Sequence, residues 1–416
     1  MRSGSLIPRL ALPALASLLL LSCNDSGTKT ANGPEESGLP KCGPLPYFTV
    51  IPLPEDKILA TDVIGRLGAP MQTLPKRHPG VMLTERGVPI VAPGDIYLWT
   101  IRRNRYVVSN WRQGEEDYAV HFNVCKDVYG YFGHVGTLDS TTFPVVEWKQ
   151  CNTYETANET IEACEMFGND MPIKAGQPLG TAGIPASDAV DFGLMDRRAN
   201  HLYAAPDRFD GEFRYAVSQF TYYDSASQDF FYQKLYDPGD AQTSAPSPGD
   251  DRPGDHQPLA STGLRPDWGE PRFGTMAVDV PGTAQGNWAE PGGDWSVVSE
   301  QHRFVTLANN PYRPSAELML SLGPDSLGAW TYRAPRQTTG RVNRAFSDIT
   351  PGSGIYCYFG GGLSGDMVTH QTSWLVELLS EDSLRIERRT HAMDATPCTA
   401  DPSTWAFGSG AMTLVR

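Results

Sequence analysis

Apolar residues in this chain alternate far more often than they recur at helical spacing, and that confines most of it to strands. "YAVHFNV" sets Tyr118, Val120, Phe122 and Val124 on one face, with Ala119, His121 and Asn123 on the other. "GIYCYFG", "AELMLSLG" and "FVTLANN" read likewise, and "SWLVELLSEDSLRIER" reads as a hairpin turning at "SEDS". With 41 glycines and 34 prolines, apolar runs are cut short before a long helix can propagate. A mainly β protein is expected.

The first residues stand outside that fold. Arg2 and Arg9 precede the short apolar run "LALPALASLLLLS", the pattern of an export signal over residues 1–22. Its end, "LLSC", resembles the bacterial lipobox. By that resemblance Cys23 is the lipidated mature N-terminus, and acyl chains provide the partner membrane. Asn24 after the cysteine favours the outer membrane of a cell envelope. Residues 23–40 lack aromatics and read as a flexible tether. The stretch 237–263 is dense in Pro, Gly, Ser and Asp, a linker or disordered loop. It divides a module at 41–236 from one at 264–416. No internal repeat is evident.

Net charge is −14 with no basic block, which argues against nucleic acid as a partner. Apart from Cys23, six cysteines remain: Cys42, Cys125, Cys151, Cys164, Cys357 and Cys398. An even set in an exported chain points to disulfides, with Cys357 and Cys398 paired and the other four among themselves. No CxxC, HExxH, P-loop, GxGxxG or GxSxG pattern occurs.

Three segments in order carry a closer likeness: "HPGVML…GVPIVAPGDIYL", "DYAVHFNVCKDVYGYFGHVGTLD" and "IKAGQPLGTAGIPASDAVDFGLMD". Together they resemble the lysostaphin/LytM-like zinc endopeptidases, family twenty-three of the metallopeptidases, and the wider set of duplicated-hybrid-motif domains. The likeness covers about Arg77 to Asp196. It implies a LytM-like β-sandwich or barrel domain, here followed by a second antiparallel β domain.

The resemblance also implies a zinc site, which needs three protein ligands, an open position for water and groups that move protons. Here His78 keeps the first ligand position, but Met82 stands where the family has Asp, and a thioether is a poor partner for zinc. Asp191 replaces the third ligand, Ala189 replaces one assisting histidine, and His134 keeps the other. His121 reads as a solvent-facing strand residue. About forty residues containing Cys151 and Cys164 are inserted between the second and third motifs, near the groove.

Three readings follow. The leading one is a lipid-anchored envelope protein with no cofactor, whose LytM-like domain no longer catalyses and instead binds peptidoglycan or a peptide, or regulates an envelope protein. A second is an active zinc endopeptidase using His78, Asp191 and a recruited ligand such as His121 or Asp188, with His134 as base. A third is carbohydrate or small-molecule binding by the C-terminal domain. There Trp288, Trp295, Trp330, Trp374 and Trp405 offer a platform, although core filling is the commoner fate of such residues.

Overall fold

The alternation in "YAVHFNV" is realised as a strand with one face in a core. Val120 and Phe122 are fully buried there against Phe132 and Phe192, whose rings lie 4.4 Å apart. The computed structural model describes residues 38–69, 72–109, 112–144, 146–155, 159–185, 187–235, 271–295, 298–362, 371–392 and 397–416. The leader, Cys23, most of the tether and the expected linker at 237–263 lie outside these residues.

The first sheet contains β1 (Ile58–Thr61), β2 (Gly80–Leu83), β3 (Val88–Val91), β4 (Ile96–Ser109), β5 (Glu116–Cys125) and β6 (Val128–Leu138). It continues with β7 (Lys149–Glu155), β8 (Glu159–Ile173), β9 (Pro178–Ala182), β10 (Ala189–Asp196) and β11 (Ala216–Val217). The main path runs β1-β2-β10-β6-β5-β4-β8-β7, all antiparallel, and β9 joins β3 to β6. The result is a nearly closed, barrel-like sheet. Gly87, at φ 73°, makes the tight turn that brings β3 back after β2, a conformation that a side chain resists.

The inserted stretch between the second and third motifs forms β7 and β8, and β8 pairs along nearly the whole of β4. The aromatic segment after β10 extends the core. Short helices α1 (Gly211–Tyr215) and α2 (Ser225–Gln233) are capped by Asp210 and Asp224, and Phe220, Tyr223 and Phe231 are buried beneath them.

The second sheet holds β12 (Gly286–Ala289), β13 (Phe304–Asn309), β14 (Glu317–Leu322), β15 (Trp330–Pro335), β16 (Tyr356–Phe359) and β17 (Gly361–Gly362). It is completed by β18 (Gln371–Ser380), β19 (Ser383–His391) and β20 (Met412–Val415). The expected hairpin is β18–β19, with Ser380 opposite Ser383. Strand order is β16-β18-β19-β20-β12-β13-β14-β15-β17, so its two ends are consecutive in the chain, joined through Gly360. The sheet therefore curls until its ends meet. Trp288 and Trp374 are fully buried in its core and Trp405 is nearly so. Those three fill space and form no platform.

Six cysteines form three disulfides, Cys42–Cys125, Cys151–Cys164 and Cys357–Cys398. Residues from both halves also share one apolar cluster, Ile64, Leu74 and Phe209 packing with Met276 and Phe304. Gln301 Oε1 accepts from the backbone N–H groups of Thr73 and Leu74 at 2.8 and 3.0 Å.

A Cβ at Gly360 would lie 1.5 Å from the carbonyl oxygen of Arg333. Gly360→Ala is thus expected to spring the seam of the second sheet and cost about 1–3 kcal/mol. A lowered denaturation midpoint with early exposure of buried tryptophan fluorescence checks this; an unchanged midpoint refutes it.

Candidate functional site

The face of β5, β6 and β10 opposite the core carries a cluster of ionisable side chains, and register aims them at one another. Asp191 on β10 sits directly across from Gly80 on β2 and Gly133 on β6. Both cross-strand neighbours of this carboxylate thus lack side chains. A Cβ at Gly133 would stand 3.3 Å from that of Asp191, and one at Gly80 would stand 3.3 Å from the Lys76 ammonium. The glycines leave room for other groups to approach Asp191.

Three do. His78 Nδ1 faces Asp191 Oδ1 at 3.2 Å, without the alignment of a good hydrogen bond. His134 Nε2 lies 3.4 Å from Asp191 Oδ2, and Lys76 Nζ lies 3.6 Å from Oδ1. The structure therefore brings together His78, His134 and Asp191, the three residues singled out in the sequence. Of the recruits considered, Asp188 is instead ion-paired with Arg86. Met82 pairs in register with Ala189, so two of the three altered positions are cross-strand neighbours.

His134 reaches the cluster because β6 carries a bulge there: Val120 opposes Phe132 while Tyr118 opposes Val135. The histidine itself has φ 56°, a left-handed conformation that is uncommon for a side-chain-bearing residue and tends to mark constrained sites. Its Nδ1–H donates to Asp117 Oδ2 at 2.8 Å. Asp117 is buried and also accepts from Tyr106 Oη at 3.1 Å and Asn104 Nδ2 at 2.9 Å. The Arg112 guanidinium covers the Tyr106 ring at 3.6 Å and pairs with Glu159 at the start of β8. The inserted hairpin thereby braces the carboxylate that orients His134.

A second bulge, between Leu98 and Thr100 of β4, falls at Trp99. Its ring meets His121 at 5.9 Å, His121 meets Tyr131 at 5.3 Å, and Tyr131 meets His78 at 5.7 Å. A Cβ at Gly193 would enter the Tyr131 ring, so that glycine lets the ring lie flat on β10. His121 does lie opposite the core, but it does not face solvent as expected: the flanking rings cover it, and its Nε2 is buried without a partner. Arg77 fixes the far wall through Asp210 at 3.2 Å and Glu212 at 3.0 Å.

The charges are uneven. Burial opposes ionisation of Asp191, yet His78, Lys76 and His134 outweigh it and hold the carboxyl well below its usual range. Burial lowers His78 below 6.5 despite Asp191. Burial also acts against protonation of His134, but the hydrogen bond to Asp117 and the charges of Asp191 and Asp117 prevail, and its pKa rises. His121 is pushed down to about 3 by burial and then by Arg102.

This donor set does not fit a hydrolytic zinc centre. His78 and Asp191 are two donors, and an ammonium stands where a metal's positive charge would sit, while Asp117 and Asp191 raise the pKa of His134. Among the described residues, no group of three or more His, Cys, Asp or Glu is placed to hold a metal ion. Comparison with protein-family models, curated proteins and solved structures found no match.

Histidine NMR titration is expected to give a His134 midpoint above 6.5, a His78 midpoint below it, and His121 neutral until about pH 3. Asp191→Asn should lower the His134 midpoint by removing one of its two carboxylates. Because the folded pKa of Asp191 is depressed, the stability it contributes is present above about pH 3.8 and fades below it. The denaturation difference between wild type and Asp191→Asn is therefore expected to shrink on acidification; a difference that grows would refute the assignment.

Proposed function

We propose that this chain is a lipid-anchored envelope protein whose N-terminal LytM-like module binds a peptidoglycan-type ligand without hydrolysing it. The observation that carries this reading is the closed ion set at Asp191, where Lys76, His78 and His134 converge on one carboxylate beside the aromatic ladder of Trp99, His121 and Tyr131. Catalysis of amide hydrolysis needs an activated water and an available base; here burial lowers the pKa of His78, the imidazole nearest Asp191, while Asp117 and Asp191 raise that of His134. Binding needs less. The flat rings of Trp99 and Tyr131 suit the apolar faces of a glycan or a short peptide.

The order of the three motifs supports the fold assignment, and the barrel-like sheet on which they pair is compatible with it. Disulfides agree with an exported chain. The lipid anchor at Cys23 and the outer-membrane address rest on the leader pattern alone.

Sedimentation of the full chain with purified sacculi tests the reading. Binding is expected to persist in chelator and to fall roughly tenfold with Trp99→Ala or Tyr131→Ala, the loss of about 1.4 kcal/mol of contact. Chelator-sensitive release of muropeptides from the sacculi would establish the peptidase instead.

A further inference from the structure

The turn and loop that follow β10 lead back to α1 and enclose a cavity of about 490 Å³. Its chemistry departs from that of the chain, which carries a net charge of −14. Arg197, Arg198 and Arg214 line it together with Asn200 and His201, and no carboxylate is among the described lining residues. Guanidinium groups gathered on an acidic protein are not the by-product of a basic surface.

The nearby acids are engaged elsewhere. Asp196, buried at the end of β10, accepts from Arg198 Nε and Nη2 at 2.8 and 2.7 Å and from Tyr222 Oη at 2.7 Å. Arg198 is therefore a neutralised part of the wall. Asp210 and Glu212 both pair with Arg77. Arg214 is left over. It is partly buried and its guanidinium lies 5.6 Å from the Tyr215 ring centroid, but among the described residues no carboxylate pairs with it. The Arg197 guanidinium lies over the Tyr129 ring at 5.3 Å, and the Arg197 backbone N–H donates to Asp127 O at 2.9 Å, which fixes the turn. His201 Nε2 lies 2.7 Å from the carbonyl of Ala216, so that nitrogen carries the proton. Burial holds its pKa below 6.5, and the neutral ring keeps Nδ1 as an acceptor.

We infer that this cavity is a binding site for a small organic anion, a carboxylate or phosphate carried on a compact body with an apolar face. Guanidinium groups fork onto such oxyanions. A guanidinium drawn partly out of water without a counter-charge costs free energy, and an arriving anion offsets that cost. Arg214 supplies the uncompensated charge and Arg197 stands in the same wall. Asn200 and His201 offer a donor and an acceptor to polar substituents, while the tyrosine rings and Leu202, 64% exposed, give the apolar body a surface to rest on. The volume lies in the range of small-ligand sites. None of these residues belongs to the cluster at Asp191, so the inference stands or falls apart from the glycan or peptide reading.

The test titrates the full chain by calorimetry with phenyl phosphate, with benzoate, and with benzyl alcohol, which has the ring without the anion. Wild type is expected to bind at least one of the two anions saturably and benzyl alcohol not at all. Arg214→Gln should weaken anion binding roughly tenfold, and Arg214→Lys, which keeps the charge but loses the fork, should weaken it less. Leu202→Glu places a like charge at an exposed position of the wall, outside the core, and should weaken binding as well. No saturable binding of either anion up to about 10 mM, or equal binding by wild type, Arg214→Gln and Leu202→Glu, overturns the inference. Sedimentation with phosphatidylglycerol and phosphatidylcholine vesicles distinguishes a lipid headgroup: extra retention on phosphatidylglycerol with neither soluble anion bound also overturns it. Should Arg214→Gln fail to fold, Leu202→Glu and ¹⁵N-arginine NMR of the wild-type chain decide. An Arg214 Nε–H signal that moves with phenyl phosphate or benzoate but not with benzyl alcohol upholds the site, and one that stays still sinks it.

Discussion

A carboxylate withdrawn from water must be met by positive charge at short range, and the front half of this molecule is arranged around that demand at Asp191. From Asp62 through Lys76, Asp191 and His134 to Asp117, negative and positive groups alternate through the cluster, each within hydrogen-bond or ion-pair reach of the next. Breaking such a chain by deleting one member leaves its neighbours buried without compensation, which is why charged clusters of this kind are costly to disturb even where they add little net stability. The strands beneath supply the geometry. Glycines on both flanks of Asp191 hold the space, while bulges at Trp99 and His134 turn side chains into it that a regular ladder would have pointed elsewhere.

The strand content was legible because half-buried strands write their burial into a two-residue period. "YAVHFNV" and the hairpin at "SEDS" are found where the alternation puts them. His78, His134 and Asp191 were legible because three motifs placed them in order, and β2, β6 and β10 do lie side by side. Asp117 was within reach of the same reasoning: it shares the parity of Ala119 and His121, so it belongs to the polar face of β5, but its neighbours in sequence give no sign that it meets His134.

Lys76 and Asp62 were not legible. They are fourteen residues apart and come together through a turn whose path depends on backbone bonds to Gly65 and Arg66. Trp99 escaped notice for a different reason. A bulge shifts the period by one residue, and a sequence carries no mark of which residue is the extra one. His121 shows the limit of face assignment. Parity gave its side of the sheet correctly, but whether that side is wet depends on the rings of Trp99 and Tyr131, which come from other strands.

The second sheet bears on how this half can meet other molecules. Its terminal strands β16 and β17 are joined through Gly360, and the backbone of residues 341–343 bonds to Cys357 on the remaining side of β16. With both sides of β16 engaged in this way, that strand offers no bare row of amides and carbonyls on which a foreign segment might template itself. Recognition at this edge therefore falls to side chains and loops, whereas β7 ends the main path of the first sheet with a margin that a further strand can meet.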